Sequence, residues 1–458
     1  MRCILVAESK GSESILRSRI FEIVDEIFKL RSSREKFVPG VTMVRYSGPV
    51  YDQEEVKSMF NAILDGWLGV GKHVLSFENE FAKLVGVKKA VMVNSGSSAN
   101  LLAVASFFSP QLESGERLSA GDEVITPALT FPTTLNPILQ HNLVPVFIDV
   151  ELGSYNVKPE LIEEAISDKT RAIFVPHTLG NPNDMKYIMD LAEEHNLLVI
   201  EDSCDALGSK YCNRFAGSFA NFGTFSFYPA HQITTGEGGM LVTDDEKLAS
   251  IAQSLRDWGR ACIMPACNPL HCGDRGCPKS ASFAGGAEAS MLPEDYDKRY
   301  TYVNIGYNLK PIEVQAALGL VQIKKLPAFC EKRRQNFRTL YDELKRYEDY
   351  FILPKWLPES EPCWFSFPLT IRPGAPFKRK DLVKWLVKHN IEVKMLFSGN
   401  ILKHPAYKHA KYRVSGSLEN TDYTMYNSFF IGVYPGLSEE ELAYVVDVIK
   451  RFIGEHRR

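Results

Sequence analysis

The sequence predicts an α/β protein: a large, doubly wound α/β domain followed by a smaller α+β C-terminal domain. Three observations carry this expectation. The chain has 458 residues, enough for two or three domains with sizeable cores. Apolar runs of strand length alternate with stretches of helical period, and beyond residue 346 the pattern changes to shorter, mixed elements. In order, residues 1–38 read as an amphipathic helical arm within an N-terminal segment set at 1–45. The large domain, set at 46–330, has buried strands expected at 89–94, 123–127, 144–149, 172–176 and 197–202. Helical period follows each, as at 158–166 and 185–194, which argues a mostly parallel sheet covered on both faces. Two further strands are expected at 223–227 and 239–243, then a long helix at 312–346. The small domain, set at 331–458, has strands expected at 365–371, 392–397 and 429–434 and helices at 379–389 and 438–452.

Composition narrows the function. Lys and Arg number 53 against 56 Asp and Glu, a formal charge of -3, so no basic face for nucleic acid is advertised and a small-molecule or protein partner is expected. The opening residues 1–7 hold one positive charge and a short apolar run, too little for a signal peptide or a membrane span, which sets the expected location as cytoplasmic. Nine cysteines without secretory context argue against a disulfide framework.

Several residues fall where strands of such a sheet end, the usual place for ligands in this architecture. The turn Asn94-Ser-Gly-Ser-Ser-Ala-Asn100 lies between a strand and a helix, so free backbone N–H groups and the hydroxyls of Ser97 and Ser98 can hold a phosphate. Phe131, opening the next helix, can stack on a flat heteroaromatic ring or belong to the core. Asp202 ends an apolar strand, where its carboxylate can pair with a protonated pyridine nitrogen or cap a helix.

The order of these motifs, with Ser226-Phe-Tyr-Pro-Ala-His231, Asp202-Ser-Cys-Asp205, His177-Thr-Leu-Gly-Asn181 and Gly306-Tyr-Asn-Leu-Lys310, resembles the nucleotide-sugar aminotransferases and dehydratases that use pyridoxal or pyridoxamine 5'-phosphate (PLP or PMP). The resemblance runs from Tyr46 to Gly454, is strongest to the C3-dehydratase branch, and implies the fold type I, aspartate aminotransferase-like architecture. In the aminotransferases, the position of His231 carries the lysine that binds the cofactor covalently. Here no lysine occurs between Lys210 and Lys247. Carried over by position, Gly96, Ser97, Ser98 and Ser226 would hold the cofactor phosphate, Phe131 would stack on the ring, Asp202 would pair with its nitrogen and Asp205 would lie near its phenolic oxygen. His231 would be the catalytic base. Asn308 would reach the phosphate of a neighbouring subunit, so the resemblance implies a homodimer with shared active sites. Lys394, Phe397, Asn400 and Arg413 are candidates for substrate contacts in the small domain, and Lys394 fits a solvated surface role equally well.

A second feature lies in the insertion at 261–295. Cys262, Cys267, Cys272 and Cys277 have four residues between successive members, and four thiolates so close can reach one metal centre. An iron–sulfur cluster, zinc and free thiols all fit a four-cysteine loop, but the paired C-x2-C spacing usual in zinc ribbons is absent. The dehydratase branch carries a [2Fe-2S] cluster in this insertion, with closer spacing at its start, and Met264 stands where its second cysteine is expected. The resemblance therefore implies deoxygenation at C3 of a nucleotide-linked 4-keto-6-deoxyhexose, with electrons from a partner reductase, in dideoxysugar and lipopolysaccharide biosynthesis. A cluster-free dehydratase restoring PMP from glutamate, an ordinary sugar aminotransferase and a catalytically silent B6-fold binding protein are the rival readings.

Overall fold

The computed structural model of the chain describes residues 2–32, 36–261, 292 and 300–456. An arm helix, α1 (Arg2–Ser32), packs on α2 (Gln53–Leu64) through charged pairs, with Lys57 Nζ 2.7 Å from Asp25 Oδ1. Asp52 and Glu55 close a reciprocal capping box at the start of α2. Then α3 (Lys72–Val85) leads into β1 (Lys89–Val93), α4 (Gly96–Ser106), β2 (Glu123–Pro127), α5 (Pro132–Gln140), β3 (Val144–Ile148), α6 (Pro159–Ala165), β4 (Thr170–Pro176), α7 (Met185–Glu194) and β5 (Leu198–Asp202). A small hairpin, β6 (Lys210–Tyr211) and β7 (Arg214–Phe215), precedes β8 (Phe222–Ser226), β9 (Gly239–Thr243) and α8 (Glu246–Arg256).

Among the described residues the large sheet has eight strands in the order β1-β9-β8-β5-β4-β2-β3-β14, where β14 is Arg413–Val414. The expected mostly parallel sheet is present, with β9 running against both its neighbours. The reversal has a local cause: β8 and β9 are joined by residues 227–238 alone, and a connection without a crossover helix returns a strand antiparallel. That connection carries His231. Strand residues sort alternately onto two cores, Phe174 and Ile200 on one face, Ile173, Val175 and Val199 on the other, as a sheet covered on both sides requires.

The long helix α9 (Glu313–Leu344) joins both halves: Ala316, Ile323 and Leu326 sit in a large-sheet core, Phe337, Leu340 and Leu344 in the other. The second half holds β10 (Phe351–Ile352), β11 (Ser360–Glu361), β12 (Ser366–Ile371), α10 (Arg379–Lys388), β13 (Lys394–Met395), α11 (Glu419–Asn427), β15 (Ser428–Gly432) and α12 (Glu439–His456). Its antiparallel sheet runs β10-β12-β15-β13 and packs on α10 and α12 through Leu369, Leu382, Phe429 and Val445. Among the described residues no helix is long and apolar enough to cross a membrane.

Candidate active site

The C-terminal ends of β1, β2, β4, β5 and β8 converge on a cavity of about 450 Å³, closed on its far side by residues of β13 and β15 and the segment after β13. Gly96, Ser97, Phe131, Asp202, Asp205, Ser226 and His231 all line it. One end is built by the turn into α4. Ser95 caps the helix, its Oγ accepting from the Ser98 N–H at 3.1 Å, which leaves the first N–H groups of α4 free toward the cavity. Ser98 serves that cap and is not itself a lining residue. Gly96 has to be glycine: a Cβ there would stand 2.5 Å from Ser226 Cβ and 3.0 Å from Cys204 Sγ. The turn thus offers backbone donors, the exposed Ser97 and the Ser226 hydroxyl in one place, a donor set that fits a phosphate.

At the other end Asp202 is buried at the tip of β5. Its Oδ2 accepts from Asn100 Nδ2 at 2.8 Å and Thr134 Oγ1 at 2.7 Å, and its Oδ1 accepts from the Cys204 N–H at 3.2 Å. Three neutral donors fix the carboxylate, and among the described residues no Lys or Arg pairs with it, so its charge remains to meet a ligand cation. Phe131 presents a half-exposed ring between these ends, edge-on to Phe397 at 6.2 Å. Phosphate donors, ring platform and acidic end together fit a phosphorylated pyridine.

His231 faces the same cavity from the β8–β9 connection. Its Nδ1 donates to the Cys204 carbonyl, which fixes the tautomer and leaves Nε2 with the free lone pair. Phe365 packs on the imidazole, centroids 5.3 Å apart. Burial pushes the imidazole down to about 4, so it is a neutral base at pH 7. The Asp205 carboxyl beside it is pushed up to about 8, by burial first and by the neighbouring Asp202 charge second.

Other expected contacts divide. Lys394 and Phe397 line the cavity, the Lys394 ammonium lying 3.0 Å from Glu392 and 4.9 Å from the centre of the Tyr46 ring. Asn400 and Arg413 do not. Asn400 is buried, donating to Asp422 at 2.7 Å, and Arg413 clasps Glu123 at 2.6 Å and the Ala165 carbonyl at the sheet edge, so both act in packing. Asn308 is exposed, outside the cavity, and accepts from Lys310 Nζ at 2.6 Å. Cys262, Cys267, Cys272 and Cys277 lie outside the described residues. Sequence reasoning did not single out Tyr46, Tyr228, Phe365 and Phe430 as cavity walls. It also missed the role of His177, whose Nδ1 accepts from the Asn183 N–H and whose Nε2 donates to buried Glu201 at 2.9 Å.

The chain is 46% identical over 420 residues, 92% of its own length and 88% of the relative's, to dTDP-4-dehydro-2,6-dideoxy-D-glucose 3-dehydratase of Saccharopolyspora spinosa. It is 42% identical to the lipopolysaccharide biosynthesis protein RfbH of Salmonella typhimurium, over 96% of this chain and 98% of that one. Among solved structures it superposes, with a TM-score of 0.79 and 32% identity, on the Escherichia coli GDP-4-keto-6-deoxy-D-mannose-3-dehydratase with bound hydrated PLP, covering 89% of this chain and 100% of that one. A family model matches residues 50–267 and 287–450, and the chain belongs to the family it describes, the DegT/DnrJ/EryC1/StrS aminotransferase family.

Proposed function

We propose that this protein is a PMP-dependent C3 dehydratase of a nucleotide-linked 4-keto-6-deoxyhexose. The observation that carries the reading is His231: a neutral imidazole with Nε2 free stands where the aminotransferases of the resemblance place lysine, in a cavity that otherwise fits a phosphorylated pyridine. A lysine there would hold the cofactor covalently and route the site toward amino transfer. A histidine cannot make that link, but it can move a proton.

Gly96, Ser97 and Ser226 would hold the cofactor phosphate, with Ser98 supporting the turn, while Phe131 would flank the ring and Asp202 would meet its nitrogen. When bound, PMP supplies the amine that engages the 4-keto carbon and the electron sink that lets the C3 hydroxyl depart. His231 Nε2 would take the proton from the cofactor's C4' carbon. Asp205, protonated at neutral pH, is a hydrogen-bond donor suited to the ring's phenolic oxygen. Phe365 and the Cys204 carbonyl hold the imidazole so that little reorientation precedes proton transfer. Among the described lining residues Lys394 is the lone Lys or Arg, and its ammonium, which also pairs with Glu392, would meet a substrate diphosphate.

The family model does not match residues 268–286, so the stretch with Cys272 and Cys277 is an insertion relative to the family. We assign Cys262, Cys267, Cys272 and Cys277 as the ligands of an iron–sulfur cluster, on the chemistry of four thiolates in one short loop. Such a cluster passes single electrons, as a net deoxygenation fed by a reductase needs. The relatives at 46% and 32% identity are both named as 3-dehydratases of nucleotide-linked or keto-deoxy sugars, which supports dehydration over amino transfer. A cytoplasmic homodimer in lipopolysaccharide or dideoxysugar biosynthesis, with Asn308 completing the partner's site, completes the proposal.

The test is anaerobic incubation of the purified protein with PMP and a nucleotide-linked 4-keto-6-deoxyhexose, with reductase in one arm and glutamate in the other. A 3-deoxy sugar formed only with reductase, by protein containing iron and sulfide, is the expected result. Product with glutamate alone selects the cluster-free dehydratase, and a 4-amino sugar selects the aminotransferase.

A further inference from the structure

We propose that Arg333 is a positioning residue for His231: its guanidinium grips the backbone of the β8–β9 connection and of the loop before β12 whose Phe365 ring packs on the imidazole. The proposal rests on the reading of His231 as the base. Arg333 stands on α9 and is 1% exposed, among the largest fully buried side chains of the protein. Its Nη2 donates to the His231 carbonyl at 2.9 Å and the Ala230 carbonyl at 3.4 Å. Its Nη1 donates to the Phe365 carbonyl at 3.0 Å and the Trp364 carbonyl at 3.2 Å. One planar group thus ties the chain at the base to the chain at Phe365, whose ring packs against the imidazole.

Among the described residues no carboxylate touches this guanidinium, and its Nε has no hydrogen-bond partner. A buried cation held only by carbonyl dipoles is expensive, and an apolar side chain of similar volume is usually as stable or more so. What the arginine adds is a rigid fork. Four carbonyls from two loops are fixed at once to a long helix anchored in both cores. His231 is then set from two sides, by Arg333 at its backbone and by the Cys204 carbonyl at Nδ1.

The same charge acts on the ring. The groups facing His231 are Asp202 at the end of β5 and Asp205 after it, Tyr228 on its own loop and Arg333 from α9, with the Cys330 and Cys363 thiols beside Arg333. Among these the Arg333 cation opposes protonation of the imidazole, while the Asp202 anion favours it. Removing the positive charge therefore moves the imidazole pKa upward, and keeping the charge while breaking the fork does not.

Two variants separate fork from charge. Arg333→Lys keeps the cation and loses most of the four bonds, whereas Arg333→Met loses both. The first readout needs neither cofactor nor turnover: diethylpyrocarbonate modifies neutral imidazole, so the pH dependence of labelling of the His231 peptide, read by mass spectrometry, reports its titration. Arg333→Met is expected to raise that midpoint by at least about half a pH unit, with Arg333→Lys unmoved. Both should lower kcat by roughly tenfold or more, with KM and the PMP dissociation constant within about threefold of the parent, because Arg333 does not line the cavity. An unchanged midpoint in Arg333→Met together with kcat within about twofold of the parent in both variants overturns the proposal. Should Arg333→Met fail to fold, as circular dichroism would show, Arg333→Lys decides alone: lost kcat at constant KM supports the fork, and retained kcat overturns it. A shifted midpoint in a protein whose parent shows no dehydration sinks the functional reading and leaves the coupling of Arg333 to His231 standing.

Discussion

The Nδ1 of His231 lies 3.9 Å from Oδ1 of Asp205, yet the pair is not a salt bridge at neutral pH. An ion pair would raise the imidazole and depress the carboxyl. Instead burial drives the imidazole down to about 4, and burial with the Asp202 charge drives the carboxyl up to about 8. The proton sits on the acid, and the base stays neutral. That arrangement puts one donor and one acceptor side by side in the cavity, the division of labour that proton transfer to and from a bound ring requires.

This relationship gives a pH dependence of folding in the cofactor-free protein. The folded pKa of Asp205 is raised, so its contribution is full below its unfolded value near 4 and is lost as pH rises toward about 8. The folded pKa of His231 is depressed, so its contribution is full above its unfolded value near 6.5 and is lost as pH falls toward about 4. The two slopes oppose one another between about 4 and 6.5, and only that of Asp205 remains from about 6.5 to 8. Denaturant titrations at pH 6.5 and 8 should show stability falling by about 1–2 kcal/mol more in the parent than in Asp205→Asn. An equal fall in both proteins would show that Asp205 is already ionised.

Replacement of the base separates binding from chemistry. His231→Asn keeps a side chain able to donate to the Cys204 carbonyl and does not alter Ser226, Gly96 or Asp202. PMP should bind within about threefold of the parent while the dehydration rate falls roughly 10²–10⁴-fold, the range for loss of a general base. His231→Lys should instead make the cofactor resist dialysis and leave a borohydride-fixed lysine adduct that the parent lacks. A His231→Asn rate near that of the parent would remove the imidazole from the reaction.

Much of this site was legible because its residues sit at strand ends, and strands buried on both faces are continuous apolar runs that end abruptly at a polar residue. Asp202 and Ser226 each close such a run, and Ser95 and Gly96 follow one. The reversal of β9 was not legible, since its apolar run reads the same in either direction and only the connection length fixes its sense. The aromatic wall was hidden for a different reason. Tyr46, Phe365 and Phe430 come from three distant segments, and none belongs to a local pattern. Asn400 and Arg413 looked available as polar residues near expected substrate contacts, but their partners Asp422 and Glu123 lie 22 and 290 residues away, a pairing no periodicity records.

The turn into α4 yields a steric prediction. In Gly96→Ala the new methyl meets Ser226 and Cys204 at closer than van der Waals distance, and both neighbours are tied to strand ends that cannot retreat far. The turn should shift by a fraction of an ångström, spoiling the convergence of its N–H groups. Overpacking of this kind costs about 1–3 kcal/mol, so the melting temperature should drop and PMP affinity should weaken by about tenfold or more, as read by fluorescence titration. Unchanged affinity would place the phosphate elsewhere.

The cysteine insertion gives the prediction that separates bond cleavage from reduction. Proton removal by His231 and departure of the C3 hydroxyl need no external electrons, whereas formation of the 3-deoxy product does. Replacing Cys267 or Cys272 with Ser should remove iron and its visible absorbance, because serine substitutes poorly for a thiolate ligand. Exchange of the cofactor C4' hydrogen with solvent, followed by mass spectrometry in the presence of substrate, should persist near the parent rate. Net 3-deoxy sugar formation with reductase should stop. His231, proposed to move the proton, lies on the β8–β9 connection, outside the insertion, so the two half-reactions have no cysteine in common. If the Cys→Ser proteins turn over normally with reductase, the loop holds no electron-carrying cluster and the glutamate-driven dehydratase takes its place.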